Sequence, residues 1–133
     1  MAILYNVNDQ DADDTAAMVE NVGGECLKIK SDVRNSAACQ SAIEQTVEKF
    51  GAINILVNNA AYQMCQMNFL EISDEQFRQT MKTNVFGYFY MAKAAVPLMK
   101  AGDTIINTGS IIAIVRTVFN GIVSKKSIHP LKC

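Results

Sequence analysis

Small and polar residues follow two mainly apolar runs of this sequence, in positions where they can bind a ligand. Residues 53–57 are followed by Asn58-Asn59-Ala60-Ala61, and residues 104–106 are followed by Asn107-Thr108-Gly109-Ser110. Amides and hydroxyls make hydrogen bonds, and small residues let a ligand approach the backbone. Apolar runs of this kind are typical of buried parallel strands, whose carboxyl ends open onto a ligand crevice. The two motifs therefore predict a nucleotide-binding sheet.

Segments with a helical period connect these runs to two further short apolar runs. The predicted order is β-α-β-α-β-α-β, with strands at residues 2–6, 26–30, 53–58 and 104–108 and helices at residues 9–22, 36–50 and 73–100. Strands that alternate with helices favour an α/β fold with parallel strands and right-handed crossovers. The sequence therefore predicts a Rossmann-like, doubly wound parallel sheet in a three-layer α-β-α arrangement.

Each predicted helix begins at a residue that can cap it. Asp9 or Asp11 is expected to cap the first helix, and Asn35 or Ser36 the second. The third begins with Ser73-Asp74-Glu75-Gln76, which has the pattern of a capping box.

Composition indicates a single domain that binds neither nucleic acid nor membrane. The chain has 133 residues, half of them hydrophobic, and a formal charge of −1 from 12 basic and 13 acidic residues that are well mixed. No apolar segment has the length of a membrane span or the pattern of a signal peptide. We therefore expect a cytoplasmic protein with reduced thiols, because no CxxC or Cys/His spacing relates the four cysteines, Cys26, Cys39, Cys65 and Cys133.

Four motifs resemble those of the classical short-chain dehydrogenase/reductases in their order and spacing. They are Ser31-Asp32-Val33, Asn58-Asn59-Ala60-Ala61, Lys82-Thr83-Asn84-Val85 and Ile105-Ile106-Asn107-Thr108-Gly109-Ser110. The stretch at residues 86–95 resembles the glucose/ribitol-dehydrogenase-like branch, and the resemblance covers residues 2–114. It implies an oxidoreductase that uses NAD or NADP to oxidise the CH-OH group of an alcohol, sugar or polyol, or to reduce the corresponding carbonyl. A more distant alternative is another Rossmann-like fold, such as a sugar-nucleotide enzyme.

The resemblance implies a cofactor site at the ends of the strands. Its residues are Asp32, Val33, Asn59, Ala60, Ala61 and Thr108. Asp32 and Val33 match the pair that holds adenine, although a helix-capping aspartate is an equal alternative for Asp32. Ala61 stands where the family usually has glycine. Asn6 stands where the family often has an acidic residue that binds the hydroxyls of the adenosine ribose. Because an amide at this position does not distinguish NAD from NADP, the choice of cofactor stays open.

Two catalytic residues are implied in the same way. Ser110 matches the serine that hydrogen-bonds the substrate carbonyl, with a strand-end serine that satisfies backbone groups as the alternative. Asn84 matches the residue that bends its helix and holds a water in the proton relay, with a solvated polar position as the alternative.

Two family motifs that bind phosphate and transfer the proton do not occur in this sequence. They are the Gly-rich phosphate turn, expected just before the first strand, and the Tyr-x-x-x-Lys pair, expected after Ser110. We therefore expect a chain truncated at both ends, without the first Gly-rich strand and the C-terminal strands, and catalytically incompetent. The alternative is a non-catalytic fragment that binds a partner or forms a homo- or hetero-oligomer through the helix at 73–100. We expect a partial NAD(P)-binding domain at 1–114 and a poorly ordered tail at 115–133.

Overall fold

The computed structural model describes residues 1–64, 66 and 68–109, and it contains the predicted alternation of strands and helices. The elements are β1 (Ala2–Tyr5), α1 (Asp9–Asn21), β2 (Leu27–Lys30), α2 (Ser36–Phe50), β3 (Ile55–Asn58), a 3₁₀ turn (Phe69–Glu71), α3 (Asp74–Met81), a π-helical turn (Lys82–Phe86), α4 (Gly87–Ala95), a second 3₁₀ turn (Val96–Leu98) and β4 (Thr104–Asn107). Ser110 and the predicted tail at 115–133 lie outside the described residues.

The caps of the helices partly differ from those predicted. Asn8, and neither Asp9 nor Asp11, caps α1, since its Oδ1 accepts from the backbone N–H of Gln10 and Asp11 at 3.1 and 3.3 Å. The two aspartates lie inside the first turn, where negative charge favours the helix N-terminus. Asn35 caps α2, which decides between the two candidates there.

The predicted helix at 73–100 is not a single α-helix. The capping box of Ser73 and Gln76 is confirmed at its start. The π-helical turn Lys82–Phe86 then separates α3 from α4, and the last turn tightens to 3₁₀ around Pro97. Proline has no N–H for an α-helical hydrogen bond, which explains an end before the predicted Lys100.

The strands form two parallel pairs. β1 pairs with β2 in the register Ala2↔Leu27, and β3 pairs with β4 in the register Ile55↔Thr104. Among the described residues no strand pairing joins one pair to the other, so the structure is a partial Rossmann-like sheet in two pieces.

The handedness of the crossovers gives the order of the two strand pairs across the layer. Helices α2 and α4 pack side by side, α2 against β2 and α4 against β3, so they share one face of the sheet. Helix α1 packs against β1 and β2, and none of its residues belongs to the core between α2 and α4, which puts it on the other face. Right-handed crossovers on opposite faces step in opposite directions. The order across the layer is therefore β2-β1-β3-β4.

The main core lies between the sheet and the pair α2–α4. Its buried residues are Cys39, Ile43, Ile53, Leu56, Met91, Ala94 and Ala95. Leu4 of β1 and Ile105 of β4 pack against this cluster, so both strand pairs share one core. Among the described residues, no helix is long and apolar enough to cross a membrane.

Candidate functional site

The candidate site lies at the carboxyl ends of the strands, around the point between β1 and β3 where successive crossovers leave in opposite directions. In open α/β sheets such a switch point is the usual ligand crevice. The segments that leave the strand ends here are residues 6–8 after β1, residues 31–35 after β2 and residues 59–62 after β3. These segments contain the predicted cofactor residues Asp32, Val33, Asn59, Ala60 and Ala61. The other two predicted residues that the structure describes are Thr108, after β4, and Asn84, in the π-helical turn.

Asp32, directly beyond β2, is held by its neighbour Arg34. Its carboxylate accepts from the backbone N–H of Arg34 at 2.9 Å and from the guanidinium Nη2 at 2.6 Å. These hydrogen bonds, led by those of the side chain, hold the pKa of Asp32 below its usual value. Arg34 in turn donates to Gln79 of α3 at 2.6 Å. The cap of α2 is Asn35, so the capping alternative for Asp32 is wrong.

The carboxylate of Asp32 keeps capacity for one more donor. Arg34 supplies three donor groups, the backbone N–H, Nε and Nη2, with Nε shared between both oxygens. An ionised carboxylate offers about four acceptor sites. Asp32 is also only partly buried, and an exocyclic amine of adenine therefore fits this group chemically.

Ser31 beside Asp32 has a buried hydroxyl with no hydrogen-bond partner. A buried polar atom without a partner costs about 1–3 kcal/mol, and such atoms are uncommon in folded proteins. A polar ligand at the end of β2 would satisfy it. The residues present therefore fit a nucleotide at this position, and sequence reasoning missed Ser31 although it stands in the quoted motif.

Val33 is fixed by a close approach of the helix α4. A Cβ built on Gly87 would lie 3.0 Å from Val33 Cγ2, a tight contact, so a larger residue at the start of α4 would press on Val33. From the other side, the thiol of Cys39 donates to the carbonyl of Val33 at 3.3 Å. Burial raises the pKa of that thiol, which keeps it protonated. Val33 is therefore a rigid, half-buried wall beside Asp32.

The ends of β3 and β4 are joined by an amide pair. Asn58, which is buried, donates from Nδ2 to Oδ1 of Asn107 at 2.8 Å, and the two residues are partners in the strand register. Sequence reasoning did not assign this pair, although the same residue type at both strand ends was a signal for it. The predicted residues Asn59, Ala60 and Ala61 follow and are exposed.

Asn84 connects the π-helical turn to the loop after β3. Its Oδ1 accepts from the backbone N–H of Tyr62 at 2.7 Å, and its Nδ2 donates to the carbonyl of Tyr62 at 3.0 Å. The side chain is half-buried, so the solvated alternative is wrong. Asn84 thus positions the segment that follows Ala61, and its role toward a water stays a prediction.

Thr108, predicted as a cofactor residue, lies just beyond β4. Its backbone N–H donates to the carbonyl of Asn58 at 2.9 Å, and its own carbonyl accepts from the hydroxyl of Tyr88 at 3.1 Å. Tyr88 was not predicted as a site residue. It ties α4 to the end of the strand that leads toward Ser110, and Ser110 itself lies outside the described residues.

A charged cluster lies at the ends of β1 and β2, next to Asn6. Lys30 Nζ contacts both carboxylate oxygens of Asp9 at 3.0 Å and stands 5.8 Å from the ring centre of Tyr5. The hydrogen bond from Lys30 lowers the pKa of Asp9, and the neighbouring Asp9 raises the pKa of Tyr5. The positive charge of Lys30 is therefore balanced within the protein.

Together these features define an α/β protein with a partial Rossmann-like fold, and comparisons with known proteins identify its family. A family model described as Enoyl-(Acyl carrier protein) reductase matches residues 1–127. The uncharacterized oxidoreductase YhdF of Bacillus subtilis is 44% identical over 113 residues, which are 85% of this chain and 39% of that protein. The glucose and ribitol dehydrogenase of Daucus carota is 37% identical over 109 residues, 79% of this chain and 38% of that protein.

Solved structures give the same result. A short-chain dehydrogenase/reductase from Serratia marcescens is 33% identical with a TM-score of 0.79, over 84% of this chain and 45% of that one. A short-chain dehydrogenase from Burkholderia cenocepacia in complex with NADP is 27% identical with a TM-score of 0.80, over 85% and 46%. The chain belongs to the short-chain dehydrogenase/reductase family, as the four motifs implied. It spans about two fifths of the length of the curated relatives named above.

Proposed function

We propose that the site at the carboxyl ends of the strands binds the adenosine part of NAD or NADP, as part of a short-chain oxidoreductase. The reaction of such a protein is hydride transfer between the cofactor and an alcohol, sugar or polyol, or the corresponding carbonyl. The relative from Daucus carota, a glucose and ribitol dehydrogenase, supports a polyol or sugar as the substrate class. The neighbour from Burkholderia cenocepacia was crystallised with NADP, which supports this kind of cofactor.

The observation that carries the proposal is the pair Ser31 and Asp32. An unpartnered buried hydroxyl and an ionised carboxylate with spare acceptor capacity stand side by side at the end of β2. Val33 supplies an apolar wall against which an adenine ring can lie. These groups bind and orient one end of a cofactor, and the nicotinamide of the bound cofactor supplies the hydride chemistry.

A binding experiment tests the adenosine site directly. Calorimetric titration of the chain with adenosine, ADP-ribose, NAD and NADP should give weak binding, similar for adenosine and ADP-ribose. Asp32→Ala should weaken adenosine binding by about tenfold, since a hydrogen bond to a charged group contributes about 1.5–3 kcal/mol. Asp14→Ala, which removes an exposed carboxylate of α1, is the control and should leave the affinity unchanged. Equal affinity of the Asp32→Ala variant and the original chain would contradict the proposal.

We further propose that these 133 residues do not turn over substrate by themselves. No tyrosine in the sequence has a lysine four residues later, and positioned proton transfer contributes about 10²–10⁴-fold to a rate. The test is an assay with NAD(H) and NADP(H) against sugars, polyols and ketones. Robust turnover that disappears in Ser110→Ala would contradict this part of the proposal.

A second candidate function is association through the helical segment 73–100. Its exposed apolar side chains favour it, among them Phe77, Phe86 and Phe89, exposed by 62%, 44% and 58%. A groove of about 360 Å³ lies on this surface, lined by Asp74, Phe77, Arg78, Met81 and Phe86. Apolar patches of this kind mark association surfaces in many proteins.

Light scattering of the purified chain tests the association. We expect Phe77→Glu to shift the protein toward the monomer, because it places a charge in the groove. Phe69→Glu is the matched control, since Phe69 is 82% exposed and lies outside the segment. A change of oligomeric state in the control alone, or a monomer at all concentrations before any substitution, would contradict this second candidate.

A further inference from the structure

The side chain of Arg34 fixes the orientation of the Asp32 carboxylate. Oδ1 of Asp32 accepts from the backbone N–H of Arg34 at 2.9 Å, which is an Asx turn, and this contact alone leaves the carboxylate free to rotate. The guanidinium removes that freedom, because its Nε lies 2.9 Å from both carboxylate oxygens and its Nη2 lies 2.6 Å from Oδ2. A planar guanidinium that contacts both oxygens holds the carboxylate in one orientation.

The acceptor capacity that Asp32 retains has a fixed direction. All the donors that Asp32 contacts belong to Arg34, so the remaining acceptor positions are directed away from that residue. The side chain of Asp32 is 33% exposed, which leaves room for a ligand there. A hydrogen bond weakens steeply when donor and acceptor are misaligned, so the strength of a bond to a ligand depends on this orientation.

Helix α3 anchors Arg34 from the side opposite Asp32. Nη1 of Arg34 donates to Oε1 of Gln79 at 2.6 Å, so that the guanidinium spans the distance between the end of β2 and α3. The amide of Gln79 is held in turn, since its Nε2 donates to Oε1 of Glu75, one helical turn earlier, at 2.7 Å. Arginine has a long side chain with much rotamer freedom, and an anchor at its far end restricts that freedom before any ligand binds.

We propose that Arg34 is a positioning residue of the adenosine site, which directs the carboxylate of Asp32 toward the exocyclic amine of adenine, and that Gln79 of α3 anchors it. This inference rests on the adenosine site proposed above. It makes α3 part of the nucleotide site, although no predicted cofactor residue lies on that helix. The consequence is a preference for a purine with an exocyclic amine that depends on residues which do not touch the ligand.

An NMR titration of the whole chain with adenosine and with purine riboside, which lacks the exocyclic amine, tests the proposal. The original chain should bind adenosine about tenfold more tightly than purine riboside, because the amine donates to a charged acceptor. Arg34→Met keeps an unbranched side chain but loses every side-chain donor, so it should reduce this ratio to about threefold or less while Asp32 is still present. Gln79→Leu, which removes only the anchor, should reduce the ratio as well.

Two further variants separate position from charge. Arg34→Lys keeps the positive charge, but an ammonium cannot reproduce the planar contact with both oxygens of Asp32, so its ratio should stay below that of the original chain. Lys49→Met is the control, because it removes an exposed cation that is paired with Glu25 near the far end of α2. This variant should keep the full ratio.

The ratio of the two affinities separates a positioning role from a purely structural one. A structural role would lower both affinities equally, so an unchanged ratio in Arg34→Met would overturn the proposal. A full ratio in Arg34→Lys would also overturn it, since charge alone would then be sufficient, and an unchanged ratio in Gln79→Leu would overturn the anchoring by α3. Equal affinities of the original chain for the two ligands would instead contradict the adenosine site itself, and this inference with it.

Discussion

The two halves of the sheet are held in place by different forces. Helix α1 covers β1 and β2 with two exposed ion pairs, Lys30 with Asp9 and Lys28 with Asp13, and it buries only the small residues Ala12 and Ala16. Helix α4 covers one face of β3 and β4 with a close-packed apolar core. Exposed ion pairs contribute about 0–1 kcal/mol each, whereas a buried aliphatic side chain contributes about 1.5–3 kcal/mol.

The residues that stabilise the fold and the residues that could bind a ligand therefore lie in different parts of the molecule. Most of the buried hydrophobic residues belong to the cluster between the sheet and the pair α2–α4, and the β1–β2 half supplies the charged groups of the candidate site. The contact of Gly87 with Val33 joins the two halves. The other face of β3 and β4 is less covered, with Ile55, Val57 and Ile106 exposed by 63%, 55% and 48%.

The largest expected effect concerns two adjacent residues of β3. Leu56→Ala should lower the free energy of unfolding by about 2–5 kcal/mol, because Leu56 is 7% exposed within the core. Ile55→Ala, in the same strand on the exposed face, should cost well under half of that. Urea denaturation of both variants measures the difference. Equal losses would show that the exposed face of β3 is covered in solution and that the two faces of this strand do not differ in burial.

The next effect concerns the amide that connects the π-helical turn to the loop after β3. Asn84→Ala removes both hydrogen bonds to Tyr62 and should cost about 1–3 kcal/mol of unfolding free energy. Asn84→Asp keeps the acceptor for the Tyr62 N–H and should retain part of that stability. Lys82→Ala, an exposed position in the same turn, is the control. An Asn84→Ala variant as stable as this control would mean that the two hydrogen bonds contribute nothing.

A smaller effect is expected at the junction of the halves. Gly87→Ala should destabilise the protein by about 1 kcal/mol, because the new Cβ would press on Cγ2 of Val33, a β-branched side chain with little rotational freedom. Gly109→Ala, where a Cβ meets nothing within 4 Å, is the control. Adding Val33→Ala to Gly87→Ala should recover part of the loss in a double-mutant cycle. A Gly87→Ala variant that is more stable than the original would show that α4 and Val33 can separate without cost.

The smallest effect is a pH dependence in the polar half. Because Arg34 lowers the pKa of Asp32 in the folded protein, the carboxylate stabilises the fold fully above its ordinary pKa of 3.8. That contribution decreases as the pH falls from this value through the lower folded pKa. Urea midpoints measured from pH 6 to pH 2 should therefore fall less steeply for Asp32→Asn than for the original chain. Parallel curves would mean that the ion pair with Arg34 does not form in solution.

Local signals in the sequence predicted most of the elements but not the details that depend on tertiary contacts. The capping box of Ser73 lies within four residues, and it was predicted correctly. The resemblance implied a bend of the helix at Asn84, but the π-helical form of the turn there was not predicted, and it accompanies the contact of Asn84 with Tyr62, 22 residues away along the chain. The cap of α1 was assigned to Asp9 or Asp11 because the choice depends on where β1 ends.

In the candidate site, too, local motifs were predicted and tertiary contacts were not. Asp32 and Val33 were predicted from a motif, and the structure places them at the carboxyl end of β2. The hydrogen bonds from Arg34 had a signal in the two-residue spacing of the opposite charges, but the unpartnered hydroxyl of Ser31 had none. A missing partner depends on everything that surrounds an atom, and the sequence alone does not supply that information.

The most direct test of the adenosine site is an NMR titration of the isotope-labelled chain with adenosine. We expect the amide shifts to change most at Ser31, Asp32 and Val33, with smaller changes at residues 59–61, and these changes to saturate together. Asp32→Ala should abolish them, whereas Asp14→Ala should not. Shift changes confined to the groove at Phe77 and Phe86, or no saturable change at residues 31–33, would contradict the assignment of the nucleotide site to the ends of the strands.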